Sequence, residues 1–156
     1  MGKELIEIEG FPELQRKLKL LPDRVKKKHI LSILRKQARP YVRTGQKSDI
    51  VPKSEKPHIV SGKRTKKIIQ PGNLRKSIGT ITGRRGRAKT NPTIYVGPRA
   101  KGNHDGWYGH FVDQGTNTGI KPNLYMQKIY RSQSGMDDKT AEAVARNIQK
   151  IIKKIS

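Results

Sequence analysis

One stretch constrains what this chain can fold into more than any other. Trp107 to Tyr125, WYGHFVDQGTNTGIKPNLY, holds the only Trp, two of the five Tyr and one of the two Phe. Aromatic side chains bury the most area per residue, so a chain poor in them concentrates its tertiary contacts where they cluster. Trp107, Tyr108, Phe111 and Val112 interleave with polar His110, Asp113 and Gln114, and Gly115 breaks the run. The pattern predicts a short strand or single helical turn plugged into the core, a glycine turn, and a loop to Pro122.

The rest of the chain offers less apolar material. Its 156 residues suit one domain with one modest core, and a hydrophobic fraction of 32% beside 30% charged residues leaves room for loops or an arm. Lys and Arg number 35 against 12 Asp and Glu, a net charge of +23. Such an excess favours a polyanion, because each Lys or Arg near a phosphate releases condensed counterions. With no Cys, disulfides, thiolate metal sites and thiol nucleophiles are excluded. Glu4, Glu7 and Glu9 stand where a secretory leader would be basic and then apolar, and no apolar run approaches the roughly 20 residues that span a bilayer. The expectation is synthesis in a cytoplasm and no membrane partner.

Taken in order, ELIEIE at Glu4–Glu9 alternates charged and apolar residues and predicts a strand at a sheet edge, ended by Gly10. Pro12 opens a helix with Leu14, Leu18 and Leu21 at helical spacing, which Pro22 interrupts. Asp23 is placed to cap a second helix, with Val25, Ile30, Ile33, Leu34 and Ala38 inward and Lys and Arg outward; Pro40 should end or kink it. Residues 44–72 carry Pro52, Pro57 and Pro71, many Lys and Ser and few apolar residues, which predicts an extended basic arm or long hairpin. PGNLRKSIGTITG then gives a glycine turn, a helical turn around Leu74 that Asn73 is placed to cap, and a strand through Ile78 and Ile81. GRRGRAK at Gly83–Lys89 forms a basic tip before the returning strand Thr93–Val96. Pro122 is expected to start a helix with Leu124, Tyr125, Ile129 and Tyr130. A final helix carries the stripe Ala141, Val144, Ala145, Ile148, Ile151, Ile152 and Ile155. The expected fold is α+β: a small, mostly antiparallel sheet from the first strand and the central hairpin, packed by two N-terminal helices and the C-terminal helix.

The succession of GNLRKSI at Gly72–Ile78, a hairpin ending in VGP at Val96–Pro98, YGHFVDQGT at Tyr108–Thr116 and a Pro-led segment at Pro122 resembles the neck and tail-completion proteins of tailed bacteriophages. That group is named after the tenth gene product of a lambdoid coliphage. IEIEGFPELQRKLKLLP at Ile6–Pro22 is similar to that family's opening strand and leucine-spaced helix. The resemblance covers most of the chain and fails mainly between Thr44 and Gln70. Ile69, Gln70, Pro71 and Gly72 depart from the family's usual approach to its Asn-Leu-Arg, and Asn123 to Met126 depart from its aromatic and second Pro.

The resemblance implies a non-enzymatic virion protein, made in the host cytoplasm, that closes into a homo-oligomeric ring of about six or twelve copies at the head–tail junction. Its partners would be its own copies, other neck and tail proteins and the packaged DNA in the channel. No cofactor, metal or catalytic residue is expected. Contact with DNA or a neighbouring ring is expected from Lys63, Arg64, Lys66 and Lys67 of the arm, from Arg75 and Lys76, and from Arg84, Arg85, Arg87 and Lys89 of the hairpin tip. Subunit packing is expected from Trp107, Tyr108, His110, Phe111, Asp113 and Gln114, whose polar members need partners inside the fold or across a subunit boundary. Two other classes compete. His104, Asp105 and His110 could ligate the metal of a nuclease, although their spacing matches no ligand motif. A freestanding basic nucleic-acid-binding protein would have the charge, although no helix-turn-helix, zinc-finger or RNP-like motif is present.

Overall fold

In the computed structural model the described residues are 6–9, 23–61, 66–89, 91–133, 142–143, 145–147, 149–150 and 153. They form a mixed α and β fold with two small antiparallel sheets. Strand β1 is Ile6–Glu9, helix α1 Asp23–Lys47, strands β2 and β3 His58–Ser61 and Lys66–Ile69, helix α2 Asn73–Ser77, and strand β4 Ile78–Thr82. A 3-10 turn at Gly86–Lys89 leads to β5, Thr93–Pro98, followed by helices α3, Gly109–Gln114, and α4, Tyr125–Ser132. The expected Pro12–Leu21 helix lies outside the described residues. So does most of the C-terminal stripe, although 142–143, 145–147, 149–150 and 153 are helical.

The larger sheet has the order β1-β5-β4; it joins the expected first strand, at an edge, to the expected central hairpin. Strand β5 occupies the centre, pairing Ile6 with Val96 on one side and Thr80 with Val96 on the other. Ile94 and Val96 lie two residues apart, share one face and are fully buried. Each such side chain contributes on the order of 1.5–3 kcal/mol of transfer free energy. Helix α1 packs on this sheet through Ile30, Ile33, Leu34, Ala38 and Tyr41, and the buried Tyr125, Met126 and Ile129 of α4 join the same core.

Pro40 does not end α1, which runs on to Lys47. A proline in a helix interior costs about 3 kcal/mol. Beyond it Tyr41 is buried and stacks on Tyr130 at a centroid separation of 6.5 Å, and Val42 packs against the core. Burying two such side chains contributes roughly 3–5 kcal/mol, enough to carry the helix through.

Of the expected arm, Thr44–Lys47 belongs to α1, and the remainder is a loop followed by the β2–β3 hairpin. The loop is anchored: Val51 is fully buried, Arg75 Nε donates to the Val51 carbonyl at 2.6 Å, and the Arg75 guanidinium pairs with Asp49 at 3.1 Å. Residues 62–65 at the hairpin end, including Lys63 and Arg64, lie outside the described residues.

Candidate functional site

The aromatic stretch folds as α3 followed by a tight loop, and α3 is tied to the start of α4. Leu124 adopts the left-handed conformation with φ 54°, which costs a non-glycine residue about 1–2 kcal/mol. Its amide donates to the Asp113 carbonyl at 2.9 Å, and the Asn123 amide donates to the Val112 carbonyl at 3.2 Å. The buried Asp113 carboxylate then accepts from the Met126 amide at 2.9 Å and from Gln114 Nε2 at 2.6 Å. Asp113 thus supplies from across the loop the cap that α4 lacks locally, placing negative charge at the helix's positive end. Helix α4 therefore begins at Tyr125 and not at Pro122, whose ring packs in the loop beside Gly115. The polar residues Asp113 and Gln114 find their partners within the fold.

Of Trp107, Tyr108 and Phe111, Tyr108 is the one that is buried in the core; Trp107 stays 41% exposed. Trp107 makes edge contacts with Tyr108 and Phe111, and His110 lies tilted on Phe111 at 3.8 Å between centroids. Trp107, Tyr108 and Phe111 form one wall of an open groove of about 460 Å³, completed by Leu74, Val112, Ile120 and, from the hairpin side, His58. The lining is overwhelmingly apolar. Beside it, Asn73 does not cap α2. Gly72 precedes that helix with φ 79°, while Asn73 Nδ2 donates to the Asp105 carbonyl at 2.8 Å and to the Tyr108 hydroxyl at 3.2 Å. Burial pushes the Tyr108 hydroxyl up from its ordinary pKa, the Asn73 bond opposes this, and the Asp105 charge adds to it.

Asp105 organises the 99–107 loop. Its carboxylate accepts from the backbone amides of Lys101 and Trp107 at 3.1 and 3.2 Å and pairs with Lys67 at 3.3 Å. Burial pushes this carboxyl up, but the two amides and the Lys67 ammonium together hold it below the usual carboxylate value. Asp105 is therefore spent on loop architecture, His104 is exposed, and no group of three or more His, Asp or Glu that could hold a metal occurs among the described residues.

The two strands of the smaller sheet carry apolar groups on both faces. Ile69 is buried, and its partner His58 meets the Tyr108 ring edge-on at 5.9 Å. The next pair, Ile59 and Ile68, points the other way and is 65% and 64% exposed. Lys66 and Lys67 are exposed on β3.

The expected basic residues divide between separate places. Arg84 and Arg85 are exposed where β4 ends, with Arg87 and Lys89 on the following 3-10 turn. Lys76 is exposed on α2, whereas Arg75 is engaged with Asp49 and Val51. By sequence pattern alone the outer face of α1 is only the solvated side of a core helix. There Lys28, Arg35, Lys36, Arg39, Arg43 and Lys47 are all exposed, and Arg35 Nη2 donates to Thr82 Oγ1 at 3.1 Å, joining that face to the β4 end. The signal was available in the four-residue spacing of Arg35, Arg39 and Arg43. No helix among the described residues is long and apolar enough to cross a membrane. Against models of protein families, curated proteins and solved structures, the chain matches none.

Proposed function

We propose that this chain is a structural subunit of a tailed-phage virion, a neck or tail-completion component whose copies close into a ring where head joins tail around the DNA channel. The observation that carries the reading is the apolar surface disposed on both sides of the β2–β3 hairpin. On one side lies the groove walled by Trp107, Phe111 and Ile120; on the other, Ile59 and Ile68 project outward from the body. Contiguous exposed apolar groups of this kind mark contact surfaces. Two patches that face different ways suit a head-to-tail contact, in which one copy's outward isoleucines meet the next copy's groove, and such a contact closes into a ring when its rotation permits. The high positive charge fits work beside DNA or an acidic neighbouring ring.

Mass photometry across a range of protein concentrations tests this reading. A discrete closed species of about six or twelve copies is the expected result. A chain that stays monomeric at high concentration and binds DNA tightly in a salt-sensitive way would instead favour a freestanding nucleic-acid-binding protein. In assembled particles, changing Arg84, Arg85 and Arg87 together to Glu is expected to lower the yield of joined, DNA-retaining virions while leaving the fold intact. Normal yields would remove that tip from any DNA or ring contact.

A further inference from the structure

We infer that the outer face of α1 is a track for the phosphate backbone of duplex DNA. This goes beyond the assembly reading: it needs DNA as the partner but not closure of a ring.

Helix α1 spans 25 residues, about 37 Å at 1.5 Å per residue. Between Arg24 and Lys47 it contains no acidic residue. Arg35, Arg39 and Arg43 recur every fourth residue, so they stand on one face about 6 Å apart along the axis, with Lys28, Lys36 and Lys47 beside them. Like charges at this spacing destabilise a helix by about 0.2–0.5 kcal/mol per pair. Among the described residues nothing offsets that repulsion: none of these cations is in an ion pair, and the Arg35 bond is to a neutral hydroxyl. A surface that repels itself, with no counterion among the described residues, is matched by an external polyanion.

The composition of the face selects among polyanions. Its remaining described members are polar, His29, Ser32 and Gln46, and among the described residues no Phe, Trp, Tyr, Leu, Ile or Met side chain is exposed along it. A protein partner would need an apolar centre to the contact, and a single strand would need aromatic rings on which to stack its bases. A stripe of guanidinium and ammonium groups alone suits the backbone of a duplex, which it would follow without reading sequence. The Arg35–Thr82 bond joins the stripe to the corner bearing exposed Arg84 and Arg85, so the track continues onto the larger sheet.

The test measures binding of the full chain to a fluorescently labelled duplex of about 30 base pairs, longer than the helix, over a series of salt concentrations. The triple variant Lys36→Gln, Arg39→Gln, Arg43→Gln removes three cations that make no hydrogen bond or ion pair among the described residues. A charge-matched control changes Lys53, Lys56 and Lys121, exposed elsewhere, to Gln. The stripe variant is expected to flatten the slope of log affinity against log salt by about 2–3 units, close to one per lost phosphate contact, and the control by less than about half a unit. Equal losses in the two triples would mean diffuse attraction and overturn the track. So would tighter binding of a single strand, or displacement of the duplex by polyglutamate at equal charge concentration, which would point to an acidic protein. Wild-type chain that forms rings but does not hold the duplex overturns this inference and leaves the assembly reading standing.

Discussion

The buried carboxylate of Asp113 caps a helix to which it does not belong, accepting the Met126 amide at 2.9 Å. Replacing Asp113 with Ala removes the cap, leaves the Met126 amide without a partner in a buried setting, and frees Gln114. A lost cap costs about 0.5–2 kcal/mol and a buried unsatisfied donor about 1–3 kcal/mol. The variant should unfold at clearly lower urea concentration, whereas Asp113→Asn, which keeps an acceptor oxygen, should lose less. Equal losses in the two would show that the charge, and not the acceptor, holds α4.

Gly45 sets how closely α1 can approach the sheet. A methyl group there would meet Ile78 Cγ2 at 2.7 Å and Ile129 Cδ1 at 3.1 Å. Helix propensity alone favours Ala over Gly by about 1 kcal/mol. Overpacking in a core costs roughly 1–3 kcal/mol, so the steric effect should win and Gly45→Ala should destabilise. The double variant Gly45→Ala, Ile78→Leu takes away the Cβ-branched Cγ2 methyl of the closer contact at nearly constant volume and should recover part of the loss in thermal denaturation.

Asp105 gives the fold a specific acid dependence. Its folded-state carboxyl is held below the ordinary value, so its contribution to stability is present above the unfolded-state value of about 3.9 and is lost as pH falls through the lowered folded value. Wild type should therefore exceed Asp105→Asn in stability at neutral pH, and the gap should close below about pH 4. Urea melts at a series of pH values check this. Because two of the three partners are backbone amides, added salt should narrow the gap only slightly.

Trp107 is the only tryptophan and stands at the groove, so its fluorescence reads the surface directly. On assembly through the groove its emission should shift to the blue as water leaves the indole. Changing Ile59 and Ile68 together to Ser, on the far side of the hairpin, should abolish that shift and the higher-order species while leaving the melting temperature within a few degrees. An unchanged oligomer would exclude the hairpin from the contact.

Much of the larger sheet was legible in the sequence because its strands alternate cleanly and its turns carry glycine. The edge position of Ile6–Glu9, the α2 turn around Leu74 and the hairpin from Ile78 to Thr93 follow from local pattern alone. What escaped local reading was decided by contacts between distant residues. Pro40 is tolerated only because Tyr41 reaches Tyr130; Pro122 fails to start a helix because Asp113 moves the cap to Tyr125; Asn73 leaves its own helix to bind Asp105 and Tyr108. Trp107, Tyr108 and Phe111 are all core candidates by pattern, and Tyr108, whose hydroxyl has a partner in Asn73, is the one of the three that is buried. The basic face of α1 was visible as a pattern, and only the accessibility of its side chains and the absence of counterions among the described residues give it meaning.

The placement of β5 between β1 and β4 has a consequence for how the chain is made. Ile6 to Glu9 leave the ribosome well before their hydrogen-bonding neighbours, Thr93 to Val96, which are synthesised almost ninety residues later. Until then the first strand has an open edge on both sides, and the larger sheet cannot close before translation has passed Pro98. Nascent chains halted short of that point should remain protease-sensitive throughout their N-terminal half, and release of the β5 segment from the exit tunnel should bring protection to both ends together.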